Sequence, residues 1–143
     1  MSDAAPPVQG VLVAHGTMAE GLVDAVRSIS GIGRDALTPL SNEGCSPHEL
    51  TGRILDALGD GPAVLFTDLQ SGSCAFAARR LCERRDDLVV MTGVNLPTLL
   101  EFVLHRELRL EDLVPRLIAK GHAGIHCTPS EMEDHAHRAL SGR

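Results

Sequence analysis

Four short apolar runs, "GVLVA" at residues 10–14, "ALTPL" at 36–40, "AVLFT" at 63–67 and "LVVMT" at 88–92, are separated by longer amphipathic segments. Runs of this length, rich in aliphatic and β-branched residues and bounded by turn signals, read as strands buried on both faces. The segments between them repeat apolar residues at helical spacing, as in Leu22, Val23, Val26 and Ile29. Helical crossovers of this length set consecutive strands parallel and put helices on both sides of the sheet. The expected fold class is therefore α/β: a three-layer α/β/α domain with a mostly parallel, doubly wound sheet.

Helix starts punctuate this pattern. Thr17 followed by Glu20 predicts a capping box opening a helix over 18–30. Ser46, Pro47 and Glu49 predict a second start, with a helix through Leu58. Further helices are expected over 73–84, 98–106 and 110–120, and Thr128, Pro129 and Glu131 predict a charged tail helix. Pro39 bars "ALTPLS" from a fully paired central position, so that strand is expected at an edge. "GHAGIHCT", residues 121–128, is too short for another strand and helix and reads as a final edge strand. The division expected is a disordered start over 1–8, one domain over 9–128 and a helical tail over 129–143.

Composition narrows the function. The chain of 143 residues is 43% hydrophobic, enough for a core of its own. Its net charge of −6 excludes a nucleic-acid backbone as main partner, because phosphate neutralisation needs a basic face. No apolar run reaches the roughly 20 residues of a membrane span, and the start lacks signal-peptide character, so a soluble cytoplasmic protein is expected. Cys45, Cys74, Cys82 and Cys127 lack CxxC spacing and are expected as reduced thiols.

Reactive groups in open parallel sheets collect at the carboxyl ends of the strands. Three polar segments fall there: "AHGT" after the first strand, "TDLQSGS" after the third and "TGVNLP" after the fourth. His15 ends the first strand and Asp68 the third. A carboxylate on one ring nitrogen fixes the tautomer that frees the other for attack on phosphorus. The amides of Leu69, Gln70, Ser71, Gly72 and Ser73, with the Ser73 hydroxyl, are expected to cradle phosphoryl oxygens without a metal. Gly16 and Gly72 let the backbone approach the phosphate. No GxxxxGK[ST] run supplies a nucleotide site.

"VLVAHGTMAEGL", "AVLFTDLQSGSCAFAARRL" and "VVMTGVNLPTLLEFVLHRE", in that order, resemble the three signature segments of the mannose-family enzyme IIA domain of the bacterial phosphotransferase system. The resemblance spans about residues 9–127. It implies a phosphotransferase component with a phosphohistidine intermediate: His15 takes phosphate on Nε2 from the carrier HPr and passes it to a histidine of a IIB protein. It further implies that Asp68 holds the other ring nitrogen, that Ser73 lies beside the phosphate, and that the last strand is antiparallel and exchanged across a homodimer. Family members often carry an aromatic-Gly-Gly run before the serine, where this chain has Leu69, Gln70, Ser71 and Gly72. IIB is expected as a separate protein, and any membrane association as peripheral, through a transporter. Met18, Leu69 and Leu96 are candidate apolar contacts for the basic face of HPr, with acidic residues as a rim; as core-closing residues they need no partner.

No cofactor and no metal site is expected. His122, His126, Cys127, His135 and His137 include common metal ligands, but their spacing suits a solvated tail better. His48 and His105 lie on polar helix faces. Cys74 follows Ser73, yet lacks a partner histidine other than His15. Three other readings stay open: a regulatory IIA protein without transport, a phosphoryl-donor subunit like that of dihydroxyacetone kinase, and a tetrapyrrole metal chelatase, which would need a second histidine facing His15.

Overall fold

The computed structural model describes residues 5–142. Strands β1 (Gln9–Ala14), β2 (Leu37–Ser41), β3 (Ala63–Thr67) and β4 (Leu88–Met91) form one parallel sheet in the order β2-β1-β3-β4. Helices α1 (Met18–Ser30), α2 (Pro47–Ala57), α3 (Ser73–Cys82), α4 (Leu96–Leu104) and α5 (Leu110–Ala123) cover it, and α6 (Glu131–Ser141) follows. The three-layer α/β expectation is borne out. β2 is an edge strand, as Pro39 requires, because its side away from β1 needs no amide donor.

The two-residue period of β1 and β3 divides the core. Leu12, Ala14, Val64 and Phe66 face one layer with Val23 and Val26 of α1, Phe102 of α4 and Leu117 of α5. Val11, Val13, Ala63 and Leu65 face the other, with Leu50 and Ile54 of α2 and Ala77 and Leu81 of α3. Phe66 and Phe102 meet edge to face at 5.1 Å between ring centroids. A Cβ on Gly10 would come within 2.5 Å of the Phe102 ring, so α4 packs this close only because that position has no side chain.

Capping follows the sequence at α2, departs from it at α1 and α6, and adds at α4 a cap that was not expected. Ser46 accepts the Glu49 amide at 3.1 Å with Pro47 in the first turn, as expected. Asn95 accepts the Thr98 amide at 3.2 Å, which starts α4 two residues earlier than its apolar periodicity suggests. The Thr17–Glu20 capping box does not form. Thr17 has φ −95° and ψ 6° rather than the extended backbone that aims a capping hydroxyl, and Glu20 instead pairs with Arg34. The cap expected at Thr128 is also unused: α6 starts after Ser130, and no side chain caps it.

The final edge strand is not formed. Residues 121–123 continue α5, whose last turn is closed by the Gly124 amide on the Lys120 carbonyl at 3.0 Å. Residues 124–128 carry no regular structure and are exposed. A strand needs a neighbouring edge for its ladder, and α5 ends on the helix-covered face of its own sheet. Of the expected disordered start, residues 1–4 lie outside the described residues. Val8, however, is buried, and its amide donates to the Arg106 carbonyl at 2.8 Å.

Candidate phosphoryl-transfer site

Parallel pairing of β1 with β3 sets Val13 beside Thr67, so the residues just past the two strands emerge together. His15 follows β1 and Asp68 follows β3. One Asp68 oxygen, Oδ2, accepts both the His15 backbone N–H at 2.9 Å and the ring Nδ1–H at 2.7 Å. The other, Oδ1, accepts the Leu69 amide at 3.0 Å. Asp68 is 7% exposed at its side chain and His15 45%. Burial works to raise the Asp68 pKa, but the His15 amide, the His15 ring and the Leu69 amide outweigh it and hold the carboxyl below its ordinary value. An ionised Asp68 binding Nδ1–H leaves Nε2 as the ring's free nitrogen.

Nε2 faces the start of α3. A Cβ built on Gly72 would lie 3.8 Å from the His15 Cε1 and 4.0 Å from Nε2. Gly72 is the N-cap, with φ 100° and ψ −176°, and it carries no side chain to satisfy the first amides of the helix. The first helical bond runs from the Phe76 amide to the Gly72 carbonyl at 3.0 Å. Side chains of Ser46 and Asn95 close the N-termini of α2 and α4, whereas α1 and α3, which flank His15, have no side-chain cap. Free amides and the positive end of the α3 dipole therefore converge beside the free imidazole nitrogen.

Of the residues expected to cradle a phosphate, Gly16 follows His15 directly and Gly72 lies against its ring, while Gln70 and Ser71 lead into Gly72 and Ser73 opens α3. Leu69 departs from expectation, because its amide is spent on Asp68 and does not offer itself to a phosphate. Its side chain is exposed, as is that of Met18, which opens the helix after His15. Leu96 is half-buried and packs against the core on the α4 side.

Bracing groups around the loops are the residues that sequence reasoning missed. The Thr67 hydroxyl donates to the Leu69 carbonyl at 2.8 Å, and the Arg79 guanidinium to the Gln70 carbonyl at 2.7 Å. Ser41 donates to the Gly16 carbonyl at 2.8 Å, tying the first loop to the β2 end. Arg79 was legible only as a position one and a half turns into a helix that begins at the site. Thr67 and Ser41 needed the sheet register.

Cys74 is the other addition. It is fully buried, and its Sγ lies 3.9 Å from the His15 Nδ1. Burial and the Asp68 charge push its pKa up against a hydrogen bond from Ser73, so it stays a thiol and walls the ring rather than acting as nucleophile. His15, Asp68 and Cys74 are the one group of three metal-ligating side chains that converge among the described residues, their ligand atoms within 4.8 Å. Nδ1 is committed to Asp68 and the thiol is held protonated, an arrangement built for hydrogen bonding to the ring. His126 of the tail pairs with Glu133 at 2.7 Å.

The family model described as EIIA-man, PTS system fructose IIA component, matches residues 9–116. The sorbose-specific EIIA component of Klebsiella pneumoniae is 31% identical over 116 residues, covering 78% of this chain and 85% of that protein. A phosphotransferase-system EIIA structure from Streptococcus agalactiae superposes with TM-score 0.78 at 25% identity, over 84% of this chain and 96% of the other. A mannose/sorbose-specific IIA subunit from Enterococcus faecalis shares the fold, with TM-score 0.74 at 20% identity over 85% and 95% of the two chains. With the family model spanning the whole sheet and its helices through the first half of α5, the chain belongs to the EIIA-man family and is a phosphotransferase-system IIA component of the mannose/sorbose type.

Proposed function

We propose that this protein is a phosphocarrier, in which His15 accepts a phosphoryl group from phospho-HPr and hands it to a IIB protein for sugar uptake. The observation that carries the reading is the double hydrogen bond from His15 to Asp68, which leaves Nε2 free beside the uncapped start of α3. In the transfer, the Nε2 lone pair forms a bond to phosphorus as the donor's nitrogen–phosphorus bond breaks. Nδ1 keeps its proton throughout, so the phosphorylated ring carries positive charge and Asp68 stabilises it. The amides of Ser73 and its successors, with the Ser73 hydroxyl, meet the phosphoryl oxygens. Passing the group to a IIB histidine reverses these steps, and no external base is needed.

Exposed Met18 and Leu69 give the docking partners an apolar centre beside the reactive nitrogen, with Leu96 adding its half-exposed edge. The proposed working unit is a cytoplasmic homodimer whose domain spans residues 9–128 and whose helical tail follows. No described helix is long and apolar enough to cross a membrane. Any membrane association is then peripheral, through a transporter.

Incubation with phosphoenolpyruvate, enzyme I and HPr, followed by intact mass under non-acidic conditions, tests the reading. One acid-labile phosphoryl group, absent from His15→Ala, is expected. Folded wild type that stays unmodified beside active HPr overturns it.

A further inference from the structure

Two surfaces of this chain are unsatisfied in complementary ways. The first is a groove of about 450 Å³ between α2 and α3, on the sheet face opposite α1, α4 and α5. Phe76, Arg80 and Arg84 line one wall at four-residue steps, and His48 and Leu55 the other, with Gly52 as floor. Phe76 is 53% exposed, and the Arg80 guanidinium lies 5.7 Å from its ring centroid. No carboxylate lines the groove, and neither Arg80 nor Arg84 pairs with one among the described residues, in a chain whose net charge is −6.

The second is α6. None of its residues is buried. Met132, Ala136 and Leu140 form a stripe at four-residue spacing, with Leu140 69% exposed, and the first turn carries Glu131, Glu133 and Asp134. Its neighbours in the same chain are Ile125, His126 and Cys127, which are themselves exposed and leave the stripe open to solvent, and an amphipathic helix is not stabilised in water by propensity alone. The stripe runs over eight helical steps, about 12 Å, and the wall from Phe76 to Arg84 is likewise eight positions long, running from α3 into the turn that follows it. Within one chain, α6 leaves from the face that α5 covers, and residues 124–130 reach at most about 25 Å to round the β4 edge and cross α3.

We propose that α6 of one copy docks its Met132, Ala136 and Leu140 stripe into the α2–α3 groove of a second copy. Glu131 and Asp134 of its first turn then lie against Arg80 and Arg84. The arrangement is reciprocal across a two-fold axis, so both tails and both grooves are covered. It rests on the homodimer proposed above and on no part of the phosphoryl chemistry.

The test uses the full chain with the photo-crosslinker benzoylphenylalanine replacing Ala136, mixed as light and heavy isotopic forms, with sedimentation run in parallel. Cross-links from one isotopic form to residues 47–58 or 76–84 of the other are expected. Arg80→Glu with Arg84→Glu lowers their yield at least tenfold, and Glu131→Arg with Asp134→Arg restores it. Cross-links confined to one copy, or mapping elsewhere on a chain that sediments as a dimer, overturn the docking and leave the dimer standing. A chain that sediments as a monomer at every concentration overturns both, while phosphorylation of His15 is read separately.

Discussion

A single oxygen of Asp68 binds both the backbone amide of His15, at 2.9 Å, and its ring Nδ1, at 2.7 Å. The backbone bond locks the residue that bears the ring, and the ring bond fixes the rotation and tautomer. Both become possible because β1 and β3 are parallel neighbours in a register that ends them side by side.

Asp68→Asn keeps an acceptor of the same shape but loses the charge opposite the phosphorylated ring. The rate of phosphoryl uptake from phospho-HPr should fall by a factor on the order of 10² or more, with the fold retained. Rapid-quench labelling beside a circular-dichroism spectrum checks this, and an unchanged rate would remove Asp68 from the chemistry.

The same carboxylate makes stability depend on pH. Its folded pKa lies below the unfolded value, so its contribution is fully present above the ordinary carboxylate range and is lost as pH falls through the lowered folded value. Urea unfolding of wild type and Asp68→Asn should therefore show a gap at pH 7 that narrows on acidification below about pH 4. A gap that stays constant with pH would mean that the charge of Asp68 contributes nothing to folding.

Gly72 has φ 100° and ψ −176°, a conformation essentially reserved for glycine, and it borders His15. Gly72→Ala is expected to cost on the order of 1–3 kcal/mol and to slow phosphorylation by displacing the start of α3. Thermal melts and labelling rates of the same sample read both effects. A full rate with unchanged stability would show that the loop adapts freely.

A glycine in a helix and one in a strand should respond in opposite directions. Gly52 lies within α2 with open space around it, so Gly52→Ala should stabilise the protein by about 0.5–1 kcal/mol. Gly10→Ala drives a methyl into the buried Phe102 ring and should destabilise it by about 1–3 kcal/mol. Chemical denaturation of both variants decides the signs.

Caps give a paired comparison. Ser46→Ala removes a hydroxyl that accepts the Glu49 amide and should cost about 1 kcal/mol. Thr17→Ala removes no side-chain cap and should cost far less. Equal losses would mean that Thr17 caps α1 in solution.

The strands, four of the helix starts and the strand-end positions of His15 and Asp68 were legible because each depends on local pattern: apolar runs, helical periodicity, Ser-Pro-x-Glu chemistry. The Thr17–Glu20 box was misread because Arg34, fourteen residues beyond Glu20, captures the carboxylate that the box needs. The Leu69 amide was counted as a phosphate donor because sequence does not reveal that Asp68 already holds it. The strand expected over 121–128 failed for the complementary reason, since a strand exists only where another edge receives it.

By itself, then, the sequence determined the alternation of elements, the class of sheet and the residue types at the strand ends. Tertiary structure alone decided which strands are neighbours, and so that one carboxylate binds the imidazole twice, that Cys74 backs the ring and that Arg79, Thr67 and Ser41 brace the loops. The reason is physical: propensity and periodicity act over a few residues, whereas these contacts depend on the register that brings β1, β2 and β3 together.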